Sequence, residues 1–140
     1  MAFLKNEFSV IHDPYLLADM KKGVERLHRA VTDGEKVLIY GDYDVDGVTS
    51  VSILYLYLKS QNVDVSYYIP SRMGDGYGLS CGAIDAHCAE ADLIVTVDTG
   101  ITAEEEVRHA KSLGIDSVHK HGALAIVYGY AGSIELIEDL

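Results

Sequence analysis

Positively charged side chains are scarce in this 140-residue chain. There are 11 Lys and Arg residues against 22 Asp and Glu residues, which gives a formal net charge of -11. Proteins bind nucleic-acid phosphates mainly through Lys and Arg, so this deficit argues against a general nucleic-acid binder. A surplus of carboxylates fits a site for metal cations better.

Long apolar runs and paired cysteines are also missing. No stretch approaches the roughly 20 apolar residues of a membrane span, and the first residues lack the apolar core of a signal peptide. The two cysteines, Cys81 and Cys88, fall within one predicted helix and have no second pair to complete a zinc site. These absences predict a cytoplasmic protein with reduced, structural cysteines.

The most informative stretch runs from Val37 to Ser50. It begins with an apolar run that predicts a short buried strand and ends in an apolar helix that starts at about Val48. Three carboxylates at alternate positions separate the two elements: Asp42, Asp44 and Asp46. Alternation in an extended chain places side chains on the same side, where like charges repel each other. A divalent cation relieves this repulsion, and carboxylate oxygens suit Mg²⁺ or Mn²⁺.

Three other interpretations of this stretch are weaker. A solvated acidic turn does not explain why the acids lie between two buried elements. An EF-hand loop that starts at Asp42 requires a Glu at its twelfth position, where this chain has Ile53. A phosphate-binding P-loop fails because the spacing from Gly41 to Gly47 is one residue too long and no Lys follows.

Strand and helix patterns alternate along the chain. Apolar runs predict strands at Lys36–Tyr40, Asn62–Ile69, Asp92–Val97 and Ile115–Val118. End signals predict four helices: from Asp13 and Pro14 to Gly34, from Val48 to about Lys59, from a Ser80 cap to about Glu90, and from a capping box at Thr102–Glu105 to Gly114. This order predicts a three-layer α/β fold, with a mostly parallel sheet and right-handed crossover helices.

The carboxyl ends of parallel strands are where such folds bind ligands, near a point where the chain switches direction. The acidic loop follows the first predicted strand, and Asp98 follows the third. We therefore expect four acids to converge: Asp42, Asp44, Asp46 and Asp98. A glycine-rich loop, Pro70–Ser80, adds Arg72 and Tyr77, which could contact a phosphate or stack on a base. A plain surface loop explains these two residues equally well.

Several segments together resemble the DHH phosphoesterase family, and within it the exonucleases specific for single-stranded DNA. The matching residues are 12–17, 19–20, 38–50, 67–72, 76–80 and 95–101, including Gly41-Asp42-Tyr43-Asp44-Val45-Asp46-Gly47. The resemblance covers roughly residues 3 to 118. It implies a 5′-to-3′ exonuclease that uses Mn²⁺ or Mg²⁺ in DNA repair and recombination. It also implies metal ligands at Asp44, Asp46 and Asp98, with Asp42 in the same catalytic motif.

The resemblance breaks down where the family's Asp-His-His motif should follow the strand after Gly114. Lys120 falls at the position of the Asp, His121 matches one His and is the remaining candidate metal ligand, and Gly122 replaces the other His. We therefore expect residues 1–118 to form the N-terminal part of an incomplete DHH domain and residues 119–140 to form a divergent tail. The family's later domains, needed for full binding of single-stranded DNA, have no counterpart, and apolar faces left uncovered favour self-association.

The expected function is therefore metal-dependent phosphodiester hydrolysis on single-stranded DNA, impaired in this chain. One alternative is a non-catalytic fragment with a degraded metal site. Another is a phosphoacceptor receiver domain, which also places acids and a Lys at strand ends, as Asp42, Asp44, Asp98 and Lys120 do loosely. A receiver's paired acids are normally adjacent, whereas these alternate, and the loop before Ser80 has no place in that fold.

Overall fold

The computed structural model describes residues 13–16, 18–71, 78–100 and 102–117. A short 3-10 helix, Pro14–Leu16, comes first. The elements that follow are α1 (Met20–Asp33), β1 (Val37–Tyr40), α2 (Val45–Ser60), β2 (Val65–Tyr68), α3 (Cys81–His87), β3 (Leu93–Thr96), α4 (Glu104–Ser112) and β4 (Asp116–Ser117). None of the described helices is long and apolar enough to span a bilayer. The predicted boundary at residue 118 and the tail lie outside the described residues.

The four described strands form one parallel sheet in the order β2-β1-β3-β4. Val37 at the start of β1 lies opposite Val65 of β2 and Leu93 of β3, so the three strands begin level with one another. The predicted parallel α/β fold is confirmed. Each parallel pair needs a helical crossover between its strands, which is why strands and helices alternate along the chain.

Side chains of the sheet alternate between two apolar cores, which makes the fold three layers deep. Val37, Ile39 and Val95 pack under α1 and α2. Leu38 and Ile94 pack on the other face, against α3 and α4. Both faces of the central strands are buried, which is why β1 and β3 appear in the sequence as continuous apolar runs rather than alternating ones.

The chain changes direction at β1. It crosses from β1 to β2 by way of α2 on one face, then returns past β1 to β3 by way of α3 on the other face. Reversal of both the direction and the face keeps the hand of the crossovers the same. The connections that leave β1 and β3 diverge to opposite faces, which opens a crevice at the carboxyl ends of these two neighbouring strands.

Two of the predicted helix ends are confirmed. Gly34 follows α1 with φ of 71°, a left-handed conformation that glycine adopts at low cost, and its N–H donates to the Ala30 carbonyl. Ser80 precedes α3, and its hydroxyl oxygen accepts a hydrogen bond from the Ala83 N–H at 3.2 Å.

The predicted starts of the first and last of these helices, α1 and α4, are wrong. Asp13 accepts a hydrogen bond from the Tyr15 N–H at 2.9 Å, but it begins only the 3-10 helix. A left-handed residue, Asp19 with φ of 58°, separates that helix from α1. The capping box at Thr102 does not form: α4 begins at Glu104, with Ala103 as its N-cap and no capping side chain. Glutamates in the first turn favour this helix end instead through its dipole.

Candidate metal centre

Three carboxylates converge in the crevice where β1 and β3 end. Asp42 and Asp44 follow β1, and Asp98 follows β3. One carboxylate oxygen from each of these residues lies within 4.8 Å of the other two. Within the described residues, these three side chains form the cluster of potential metal ligands that lie close enough together to hold one ion. The expected convergence of Asp98 with the acidic loop is confirmed for Asp42 and Asp44.

Asp46 lies outside this group because α2 begins three residues earlier than the sequence predicted. Asp44 is the N-cap of the helix, and its Oδ1 accepts a hydrogen bond from the Gly47 N–H at 2.9 Å. Asp46 is therefore an exposed residue in the first helical turn, and the expectation that the three alternate acids share one side of an extended chain was wrong. Its role as a metal ligand stays a prediction.

Gly47 allows the first turn of α2 to rest directly on the backbone of Asp42. A Cβ at Gly47 would lie 2.3 Å from the Asp42 carbonyl oxygen, and one at Gly41 would lie 2.2 Å from Cγ2 of Val51. No larger residue fits either place without a shift of its surroundings. The two glycines thus let the helix close over Asp42 and hold its carboxylate inside the crevice.

The Asp42 carboxylate is buried and incompletely paired. Its residue is only 2% exposed, and its Oδ1 has no hydrogen-bond partner within the described part of the chain. A buried carboxylate oxygen without a partner is costly, because the water it has lost is not replaced. A cation in the crevice would supply the missing partner.

Asp98 is destabilised as a charged group. Burial, and then the charge of Asp44 and a hydrogen bond with it, raise the pKa of the Asp98 carboxyl, and the charges of Asp46 and Asp42 add to the effect. Its backbone has φ of 58°, which is uncommon for a residue other than glycine. Since every donor in the group is a carboxylate oxygen, the residues fit a hard divalent cation such as Mg²⁺ or Mn²⁺.

The other predicted site residues, Arg72, Tyr77 and His121, lie outside the described residues, as does Lys120. Their roles stay predictions. One residue near the site was missed by the sequence analysis: the buried Tyr40, whose hydroxyl donates to the Gly78 carbonyl at 3.1 Å. Its place at the end of an apolar strand indicated only a core residue, so no signal in the sequence could have found this contact.

Comparison with known proteins agrees with this geometry. The DHH family, N-terminal domain, matches residues 36–129. The chain is 40% identical over 117 residues to the single-stranded-DNA-specific exonuclease RecJ of Bacillus subtilis, covering 83% of this chain and 15% of that protein. It is 44% identical over 101 residues to RecJ of Escherichia coli, covering 71% of this chain and 18% of that protein.

Solved structures give the same result. A crystal structure of exonuclease RecJ bound to manganese superposes with a TM-score of 0.67 at 34% identity, over 72% of this chain and 26% of that one. RecJ from Thermus thermophilus in complex with Mn²⁺ gives 0.61 at 30% identity, over 72% and 14%. This chain thus spans less than a third of each relative. The matched range includes both loops that carry the acids, and the chain belongs to the DHH family.

Proposed function

We propose that this chain carries the metal-binding front part of a single-strand-specific exonuclease, which hydrolyses phosphodiester bonds of single-stranded DNA from the 5′ end. The observation that carries the proposal is the crevice in which Asp42, Asp44 and Asp98 converge, with one buried oxygen of Asp42 lacking a partner. The names of the relatives support the substrate, and the manganese in two related structures supports the cofactor.

The three acids would divide the work of holding a cation. The first turn of α2 packs against the backbone of Asp42. Asp44 is oriented by the hydrogen bond that it accepts from the Gly47 N–H. Asp98 follows the neighbouring strand, β3. A bound Mn²⁺ or Mg²⁺ would activate a water and offset charge on the phosphate oxygens. Asp46, exposed beside the crevice, adds negative charge to the site and is proposed as a further catalytic residue.

We propose that this chain alone has little nuclease activity. It spans 15–18% of the two curated relatives, and its net charge of -11 disfavours binding to a phosphate backbone. Binding of single-stranded DNA would then depend on further domains. The second candidate function, a non-catalytic fragment with a weak metal site, shares every contact of the crevice. The receiver alternative is dropped because the chain belongs to the DHH family.

Titration calorimetry of the metal-free chain with Mn²⁺ tests the site. We expect saturable binding that is lost in Asp42→Asn and in Asp98→Asn, because each change removes a charged ligand but keeps the shape of the side chain. Asp64→Asn is the matched control, since Asp64 is an exposed acid at the opposite end of the sheet. Equal binding by Asp42→Asn and Asp64→Asn would refute the proposed site.

Release of nucleotides from 5′-labelled single-stranded DNA in Mn²⁺ tests the proposal that this chain alone has little nuclease activity. Metal-dependent release that Asp42→Asn abolishes would contradict that proposal. Metal binding without release agrees with it, and the two candidate functions then differ in how tightly the chain binds Mn²⁺.

We propose a cytoplasmic location, which is supported by the absence of a disulfide bond between the two cysteines. Cys81 and Cys88 are both free thiols. Burial raises the pKa of Cys88 to about 11, which keeps it an unreactive thiol. In a reducing compartment such thiols need no partner.

We also propose that the chain self-associates through the outer surface of α2. Val45, Ile53, Leu56 and Tyr57 are all more than half exposed there, and large apolar side chains grouped on one exposed face indicate a surface that is normally covered. Sedimentation at rising protein concentration should show dimers or larger species that Leu56→Lys weakens. A monomer at all concentrations would contradict this.

A further inference from the structure

Tyr40 connects β1, the strand that leads to Asp42, with the loop that precedes α3. It is the last residue of β1 and is completely buried, on the face covered by α3 and α4. Its hydroxyl donates to the Gly78 carbonyl at 3.1 Å. The ring is held by Tyr68 at 5.3 Å between centroids, and Tyr68 in turn stacks on His87 at 4.1 Å. The hydroxyl therefore occupies a fixed position.

Gly78 lies beside the turn that carries Asp98. A Cβ built on Gly78 would lie 3.6 Å from the carbonyl oxygen of Thr99, so the backbone of Gly78 passes close to that turn. Gly78 has φ of 81° and Asp98 has φ of 58°. Thr99 is itself buried. The Tyr40 hydroxyl thus holds a residue that lies next to the turn after β3.

We propose that Tyr40 is a positioning residue for the metal centre, an inference that rests on the proposed function. Its hydroxyl fixes Gly78 next to Thr99 and so limits where Asp98 lies relative to Asp42 and Asp44. The acids come from two separate loops, and a metal site tolerates displacements of only about 0.5 Å. One buried side chain that starts two residues before Asp42 and bonds to Gly78, beside the turn of Asp98, meets this requirement.

Tyr40→Phe tests this inference, because it removes the hydroxyl and keeps the ring. The matched control is Tyr55→Phe: Tyr55 packs against Tyr67 and belongs to the core on the other face of the sheet. One readout is Mn²⁺ affinity by calorimetry. The other, made without metal, is ¹⁵N relaxation of the backbone amides of Gly78, Asp98 and Thr99, which reports order at each residue.

We expect Tyr40→Phe to keep its secondary structure, to bind Mn²⁺ about three- to tenfold more weakly, the scale of one hydrogen bond, and to lose order at Gly78, Asp98 and Thr99. Tyr55→Phe should change neither readout. Unchanged Mn²⁺ affinity in folded Tyr40→Phe would overturn the inference, and so would a loss of order confined to Gly78.

The proposed function can fail separately from this inference. If the unsubstituted chain binds no Mn²⁺, the proposed function is wrong, and relaxation alone decides: unchanged order at Asp98 and Thr99 in Tyr40→Phe overturns the role of Tyr40. If Tyr40→Phe does not fold, the unsubstituted chain is titrated with Mg²⁺. We then expect Gly78 to become more ordered together with Thr99, and a response of Thr99 alone would overturn the inference.

Discussion

Asp92 and Asp98 stand at the two ends of the same strand and differ in every respect that matters for function. Asp92 precedes β3, is exposed, and its carboxylate accepts a hydrogen bond from the Lys36 N–H at 2.8 Å. Asp98 follows β3 among other carboxylates, with a raised pKa and a left-handed backbone. The fold gives the Asp92 carboxylate a hydrogen-bond donor, whereas it places the Asp98 carboxylate where its charged form is unfavourable. An acid that the fold leaves costly indicates a site for a ligand.

The largest change in stability should come from Gly47, which packs against the backbone of Asp42 in the crevice that also holds Asp98. We expect Gly47→Ala to destabilise the chain by about 1–3 kcal/mol, because its Cβ would overlap the Asp42 carbonyl. Gly82→Ala is the matched control in α3, where a Cβ meets nothing within 4 Å, and it should stabilise by about 0.5–1 kcal/mol. Denaturant unfolding of both variants measures this. Equal effects would mean that the contact between α2 and Asp42 is not tight.

A smaller effect is expected at the satisfied end of the strand. Asp92→Asn keeps an acceptor for the Lys36 N–H but removes its charge, and Asp92→Ala removes the acceptor. We expect Asp92→Ala to lower the free energy of unfolding by about 1 kcal/mol, with Asp92→Asn in between and Mn²⁺ affinity unchanged in both. Weaker Mn²⁺ binding in either variant would show that the two ends of β3 are not independent.

The smallest effect is a pH dependence with a reversed sign. Because the pKa of Asp98 is raised above the ordinary value of 3.8, the native state binds more protons than the unfolded state in the pH window that begins there and extends upward. In that window the free energy of unfolding falls as pH rises. The metal-free chain should therefore gain stability, relative to Asp98→Asn, as pH is lowered through it. Denaturant unfolding of both proteins over a pH series measures the difference, and a constant difference would contradict the prediction.

The sequence predicted the parts of this molecule that depend on local patterns. The runs at β1 and β3 are apolar without interruption because both faces are covered, and the order of elements followed from them. The start of α2 was misplaced because Asp44 was interpreted as a ligand in an extended chain, although Asp is also a strong N-cap residue. Thr102 matched a capping box, but tertiary packing placed Ala103 at the helix end.

The unfavourable features of the site, such as its unpaired and crowded carboxylates, depend on contacts between residues that are distant in the sequence. Local patterns could not predict them. The sequence indicates that Asp42 and Asp98 meet, because both follow parallel strands. It does not indicate that an oxygen of Asp42 lacks a partner, which follows from the closure of α2 over it. Nor does it indicate the left-handed turn at Asp98 or the contact from Tyr40 to Gly78. These features arise only when three loops pack together.

The most direct test of the central claim is the thermal unfolding of the unsubstituted chain and of Asp98→Asn, each with and without Mn²⁺. If the acids are held together at a cost for the sake of a cation, Asp98→Asn unfolds at a higher temperature than the unsubstituted chain without metal. With Mn²⁺ the order reverses, since only the unsubstituted chain gains from binding, by about 2.7 kcal/mol at a metal concentration 100 times the Kd. An Asp98→Asn variant that is less stable in both conditions would contradict the account, because Asp98 would then be a structural acid like Asp92.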